Sequence, residues 1–142
     1  MSGPYSKEGY ELMGAAFEVY NEIGYGMAEE VYQESLQIEL ELRNIPYSKK
    51  QPVALRYKDR PLEKTYFPDL IVHGEVVVEL KSAKELGSEH EAQLVNYLRI
   101  SREQVGYLIN FGHKDALQWK RYVLSDLHKR RDERDGRNTG RH

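Results

Sequence analysis

A mixed α/β domain is what this sequence predicts. Three observations carry that prediction: helical apolar spacing in three segments, strand-like runs between and after them, and a length suited to one core. At 142 residues the chain fits a single compact domain. A domain of that size buries roughly two-thirds of its unfolded surface, so it needs neither disulfide nor structural metal to fold.

The first helix is expected from about Lys7 to Ile23, with Met13, Ala16, Phe17, Tyr20 and Ile23 on one face and Ser6 as its cap. Gly24 and Gly26 break it. A second helix, from about Met27 to Leu42, turns Val31, Tyr32, Leu36 and Leu40 inward and stops at Asn44 and Pro46. These two helices form one layer. Strands are expected over Gln51 to Tyr57, Thr65 to Val72 and Glu75 to Lys81, the last two joined by a tight turn at His73 and Gly74. Ser88, with Glu91 three residues later, reads as a capping box for a helix to about Ile100. Val105 to Asn110 and Trp119 to Leu124 complete the order α, α, β, β, β, α, β, β. Residues 1–127 are read as the domain. Residues 128–142, HKRRDERDGRNTGRH, lack apolar periodicity and are read as a basic disordered tail.

Composition removes several function classes. Without cysteine there is no thiol nucleophile, thiolate zinc site or iron–sulfur cluster, and a reducing, cytoplasmic setting is expected. The N-terminus carries no apolar run of signal-peptide length, and a mean hydropathy of −0.75 argues against membrane functions. The net charge is −2. The tail holds six basic and three acidic residues, which leaves 15 basic and 20 acidic in residues 1–127, a balance of −5. Non-specific duplex binding comes from Lys and Arg neutralising phosphates, so any nucleic-acid role must come from a local site.

The middle hairpin carries the chemistry, and consistency of its faces sets its register. A two-residue loop would place Asp69 opposite Val78 and mix polar with apolar on both faces. A three-residue loop with Gly74 in the left-handed conformation pairs Val72 with Val76, and hence Asp69 with Glu79. Leu70, Val72, Val76, Val78 and Leu80 then make one apolar face, while Asp69, Glu79 and Lys81 share the other. Two opposed carboxylates repel unless a positive group sits between them. A divalent cation such as Mg²⁺, which prefers oxygen ligands, is one remedy. A solvated strand face with Lys81 paired to Glu79 is the other reading.

Pro68 and Asp69, followed across the hairpin by Glu79, Leu80 and Lys81, form PD and ExK, which resembles the signature of the PD-(D/E)xK nuclease superfamily. Gly26, Glu29 and Tyr32 spell GxxExxY. HEAQLVNYL, with His90, Gln93, Asn96, Tyr97 and Leu98, and LINFG (108–112) are similar to later motifs of the small bacterial GxxExxY family of that superfamily. The resemblance runs from about Glu8 to Leu124. It implies a restriction-endonuclease-like three-layer core, a mixed central β-sheet flanked by helices. It also implies a metal-dependent nuclease using Mg²⁺ or Mn²⁺.

By the same resemblance Asp69 and Glu79 hold the metal, the Leu80 carbonyl is a third ligand, Lys81 is the catalytic lysine, and Glu29 is a further metal or water ligand. Positions 29, 33, 36 and 40 share a helical stripe, which puts Glu29 at the end of a core-facing face. A helix N-terminal carboxylate favoured by the macrodipole is the alternative for Glu29. Gln93 and Tyr97, four residues apart on one helix face, would contact a phosphate oxygen or water and the nucleic acid. Tyr97 equally reads as core. His90 lies on the same stripe without a role, and Asn110 and Gly112 are candidates to line the cleft. The rival to a nuclease is a catalytically silent module of the same fold that binds nucleic acid or a protein partner. The substrate, DNA or RNA, is left open. A homodimer would supply the two cuts that a duplex requires.

Overall fold

A computed structural model of the chain describes residues 3–127; the expected basic tail, 128–142, lies outside the described residues. The elements in chain order are α1 (Ser6–Ile23), α2 (Glu29–Leu42), β1 (Tyr47–Lys49), β2 (Val53–Tyr57), β3 (Arg60–Tyr66), β4 (Leu70–Val72), β5 (Val76–Lys81), α3 (Ser88–Ser101), β6 (Val105–Asn110) and β7 (Gln118–Val123). Five strands form a mixed sheet in the order β1-β4-β5-β6-β7, and β2 and β3 pair separately as a two-stranded ribbon. Only β5 and β6 run parallel, joined by the α3 crossover that a parallel connection requires.

Both faces of the sheet are covered. On one, Leu70, Val72, Val76, Val78 and Leu80 pack with Leu12 and Ala16 of α1 and Leu36 and Leu40 of α2. On the other, Ile71, Val77 and Leu108 meet Leu94 and Leu98 of α3 and Val53, Leu55 and Tyr66 of the ribbon. The result is the three-layer, restriction-endonuclease-like arrangement: helices, mixed sheet, then helix and ribbon. Covering both faces explains why all six residues of β6 are buried and read as a continuous apolar run.

Several local expectations are corrected. Ser6 lies inside α1; the preceding Tyr5 has φ 56° and makes no side-chain cap. Phe17 is 42% exposed, and Val19 takes the inward place. The α3 cap is Gly87, whose N–H donates to His90 Nδ1 at 3.3 Å, so Ser88 and Glu91 make no capping box. Glu91 instead accepts from the Tyr122 hydroxyl and pairs with Lys120 at 3.0 Å. The expected strand Thr65 to Val72 is two elements, because Phe67, Pro68 and Asp69 leave the ladder between β3 and β4.

The β4–β5 register is the expected one. Val72 pairs with Val76 and Leu70 with Val78, and His73 (φ 55°) and Gly74 (φ 73°) turn the three-residue loop through the left-handed region. The pairing ends at Leu70 and Val78, and Asp69, one residue beyond it, donates its N–H to the Glu79 carboxylate.

Candidate active site

Asp69 and Glu79 meet at the open end of β4–β5, and the backbone there is tied to their carboxylates. Asp69 Oδ2 accepts the Leu80 N–H at 2.8 Å, while the Asp69 N–H donates to Glu79 Oε1 at 3.2 Å. The Tyr66 hydroxyl donates to the same Glu79 oxygen at 2.8 Å, and Gln33 Nε2 of α2 donates to the Asp69 carbonyl at 3.1 Å. The segment joining the ribbon to the sheet is thereby held from two elements, β5 and α2. Burying these groups is tolerable because each finds a partner.

The electrostatics follow from burial. Glu79 is pushed up to about 7, first by burial and next by the neighbouring Asp69 charge; the Tyr66 hydroxyl, the Asp69 N–H and Lys81 pull the other way. Asp69 is raised as well, chiefly by burial against the opposing Leu80 N–H, and the Glu29 charge pushes it further in the same direction. Burial and Glu79 keep the Tyr66 phenol protonated, so it acts as a donor.

A pocket of about 330 Å³ opens beside the pair, and Glu79, Lys81, His90, Gln93 and Tyr97 line it together with Lys64 and Phe67. Four sequence-derived candidates, Glu79, Lys81, Gln93 and Tyr97, are thus brought to one cavity. Asp69 and Leu80 stand behind it, Asp69 through its bonds and Leu80 with its side chain in the core. Glu29 is exposed at the start of α2, on the Asp69 side of the site, where its charge is felt. Among the described residues no group of three or more His, Asp or Glu side chains is arranged to hold a metal. Asp69 and Glu79 nonetheless offer hard oxygen atoms on neighbouring side chains, and their mutual repulsion is what a cation would relieve, so the donor set fits Mg²⁺ or Mn²⁺.

Asn110 does not line this pocket. It is fully buried, its Oδ1 accepting from Ala83 N–H (2.8 Å) and Gly112 N–H (3.1 Å), its Nδ2 donating to Ala83 O (2.8 Å) and Gln118 Oε1 (2.9 Å). Gly112 lies against the Ala83 backbone, where an added Cβ would come within 2.4 Å of it. Sequence reasoning missed Tyr66, Phe67 and Lys64. The available signal was position: they immediately precede Pro68 and Asp69. It also left His90 unassigned; its Nδ1 accepts from Gly87, which leaves the proton on Nε2.

A family model described as the PD-(D/E)XK nuclease superfamily matches residues 6–122. Among solved structures, the crystal structure of SSO0001 has a similar fold, with a TM-score of 0.50 at 16% identity. The match covers 88% of this chain and 66% of that one, just under two-thirds of the SSO0001 chain. Among curated proteins none matches.

Proposed function

The chain belongs to the PD-(D/E)XK nuclease superfamily, and from that premise we propose that it is a metal-dependent nuclease of the GxxExxY type, hydrolysing phosphodiester bonds of DNA or RNA. The observation that carries the proposal is the joining of Asp69, Glu79 and Lys81 at one end of the sheet, with Glu79 and Lys81 facing a shared pocket.

In this reading Asp69 and Glu79 hold a Mg²⁺ or Mn²⁺ ion, with the Leu80 carbonyl and Glu29 as further ligands. When bound, the ion supplies charge neutralisation at the scissile phosphate and lowers the pKa of an attacking water. Tyr66 positions Glu79 by fixing one of its carboxylate oxygens. Lys81 presents its ammonium to a non-bridging phosphate oxygen, where it stabilises charge developing in the transition state. Gln93 donates an amide N–H to the phosphate, and Tyr97, on the next turn of α3, contacts the strand. We place the protein in the cytoplasm and regard a homodimer as the assembly suited to cutting both strands. Among the described residues no helix is long and apolar enough to cross a membrane.

Calorimetric titration with Mg²⁺ and Mn²⁺ of the wild type, Asp69→Ala and Glu79→Gln tests the proposal, beside a cleavage screen over single-stranded, duplex and branched DNA and RNA. Metal binding and cleavage lost together in both variants supports it. A wild type that binds no divalent ion even with nucleic acid present replaces it with the silent binding module.

A further inference from the structure

Charge is segregated within this acidic domain. Residues 49–64, spanning β2 and most of β3, carry Lys49, Lys50, Arg56, Lys58, Arg60 and Lys64 against Asp59 and Glu63, six basic to two acidic, net +4. The other described residues hold nine basic and eighteen acidic side chains, net −9. All six basic side chains of the segment are exposed. One of its two acids is already neutralised, since Asp59 at the tip pairs with Arg102 at 2.5 Å.

Exposed aromatics are interleaved with these charges. Tyr57 is 64% exposed, with the Lys58 ammonium 5.6 Å from its ring centre. Phe67, where the ribbon ends, is 58% exposed at the wall of the pocket that contains Glu79 and Lys81. Burying an aromatic ring is ordinarily favourable, so a large one left in solvent between cations and a pocket points to a ligand with its own flat apolar face. In the lining of the same pocket Tyr97 stacks on Tyr66 with ring centres 4.0 Å apart, a second aromatic surface held in place.

The arm is preorganised. Val53, Leu55 and Tyr66 root it against Leu94 and Leu98 of α3, and the Asp59–Arg102 pair ties its tip to the end of the same helix. Binding therefore costs little ordering of the backbone.

We propose that the β2–β3 ribbon is the docking arm for an unpaired nucleic-acid strand, its Lys and Arg side chains following the phosphates while Phe67 stacks on a base at the pocket mouth. The inference rests on the nuclease reading for its meaning but not for its binding test. A strand without a complement is favoured over a duplex on two counts. Among the described residues the excess of cations lies on one narrow ribbon and the strand end that leads into it, on a body otherwise of net −9, which repels the second phosphate chain. Stacking on Phe67 also requires a base face, which a duplex keeps covered by its neighbours.

The test is fluorescence anisotropy of labelled oligo(dT), oligo(U) and the oligo(dA)·oligo(dT) duplex with the full chain, in chelator so that binding is separated from cleavage. Both single strands should bind at least tenfold tighter than the duplex. Lys58→Glu/Arg60→Glu should weaken single-strand binding at least tenfold and flatten its salt dependence. Phe67→Ala should weaken it at least fivefold with the salt slope unchanged. The same charge change made elsewhere, Lys7→Glu/Lys114→Glu, should stay within about twofold, and unaltered melting temperatures exclude misfolding. Duplex binding as tight as single-strand binding, or ribbon variants that behave like the wild type, overturns the inference. Cleavage that ignores the ribbon would leave the nuclease reading standing without it. Ribbon-dependent strand binding with no cleavage in any metal would leave the docking arm and sink the nuclease.

Discussion

Two hairpins meet at the site, and both turn through consecutive residues of positive φ: Lys58 and Asp59 in β2–β3, His73 and Gly74 in β4–β5. Their surroundings differ. Every paired residue of β4–β5 is buried, whereas all but the last two residues of β3 are exposed. The buried hairpin draws its stability from packing on both faces and can therefore carry two opposed carboxylates. The ribbon is held only at its root and tip, so its outer residues are free to vary without unfolding the domain.

The largest contrast should come from the same charge placed in each hairpin. Val78→Asp is expected to cost more than about 4 kcal/mol and abolish the folded circular-dichroism signal, because a carboxylate there has no partner. Leu62→Asp in β3, a position already 43% exposed, is expected to cost under about 1 kcal/mol by chemical denaturation. Comparable losses would mean that the ribbon is as integral as the sheet.

The next effect belongs to Glu79. Its folded-state pKa is raised from 4.5 to about 7, so the folded protein holds this proton more tightly than the unfolded chain does. Its contribution is fully present below pH 4.5 and is lost as pH rises to about 7, a difference of about 3 kcal/mol in metal-free protein. Denaturation midpoints in chelator should fall over that window, and Glu79→Gln should flatten the fall and be the more stable protein at pH 8. A wild-type midpoint that rises between pH 5 and 7 would contradict the burial of this pair.

Tyr66 is where the two hairpins touch. Tyr66→Phe removes the donor to Glu79 and should cost about 2 kcal/mol at pH 8, falling to about 1 kcal/mol in the Glu79→Gln background, where the amide oxygen still accepts but carries no charge. An undiminished cost there would mean that the Glu79 charge adds nothing to the bond. The smallest effect lies at the ribbon turn. Lys58→Asn relieves a left-handed lysine (φ 47°) and should add about 0.5 kcal/mol, seen as a small rise in melting temperature.

What the sequence disclosed divides along the same line. The β4–β5 register was legible because a slip of one residue would set Asp69 opposite Val78 and mix polar with apolar residues on both faces. β3, RPLEKTY, was not, since its first five residues are all exposed and have no alternation to read, and β1 has only three residues. Asp69, Glu79 and Lys81 could be placed together from strand geometry. Glu29 could be placed only on a helix stripe, and its exposure depends on how α2 packs. The Ser88–Glu91 motif fits a capping box, yet Glu91 is claimed by Tyr122 and Lys120, about thirty residues on in sequence. Asn110 looked like a cleft residue because it ends a buried strand; its bonds to Ala83 and Gln118 are tertiary and leave no local signature.

That asparagine extends the sheet past its last backbone rung. Lys81 and Asn110 are the final pair of β5 and β6, the Phe111 N–H donates to Lys81 O at 2.8 Å, and the Asn110 amide then grips both polar atoms of Ala83 as a neighbouring strand would. The consequence is mechanical. Lys81 stands on main chain clamped on either side, so its ammonium moves by swinging a four-carbon stem and not by flexing the backbone beneath it. The Ala83 amide, in the loop after β5, should exchange its hydrogen as slowly as a strand amide.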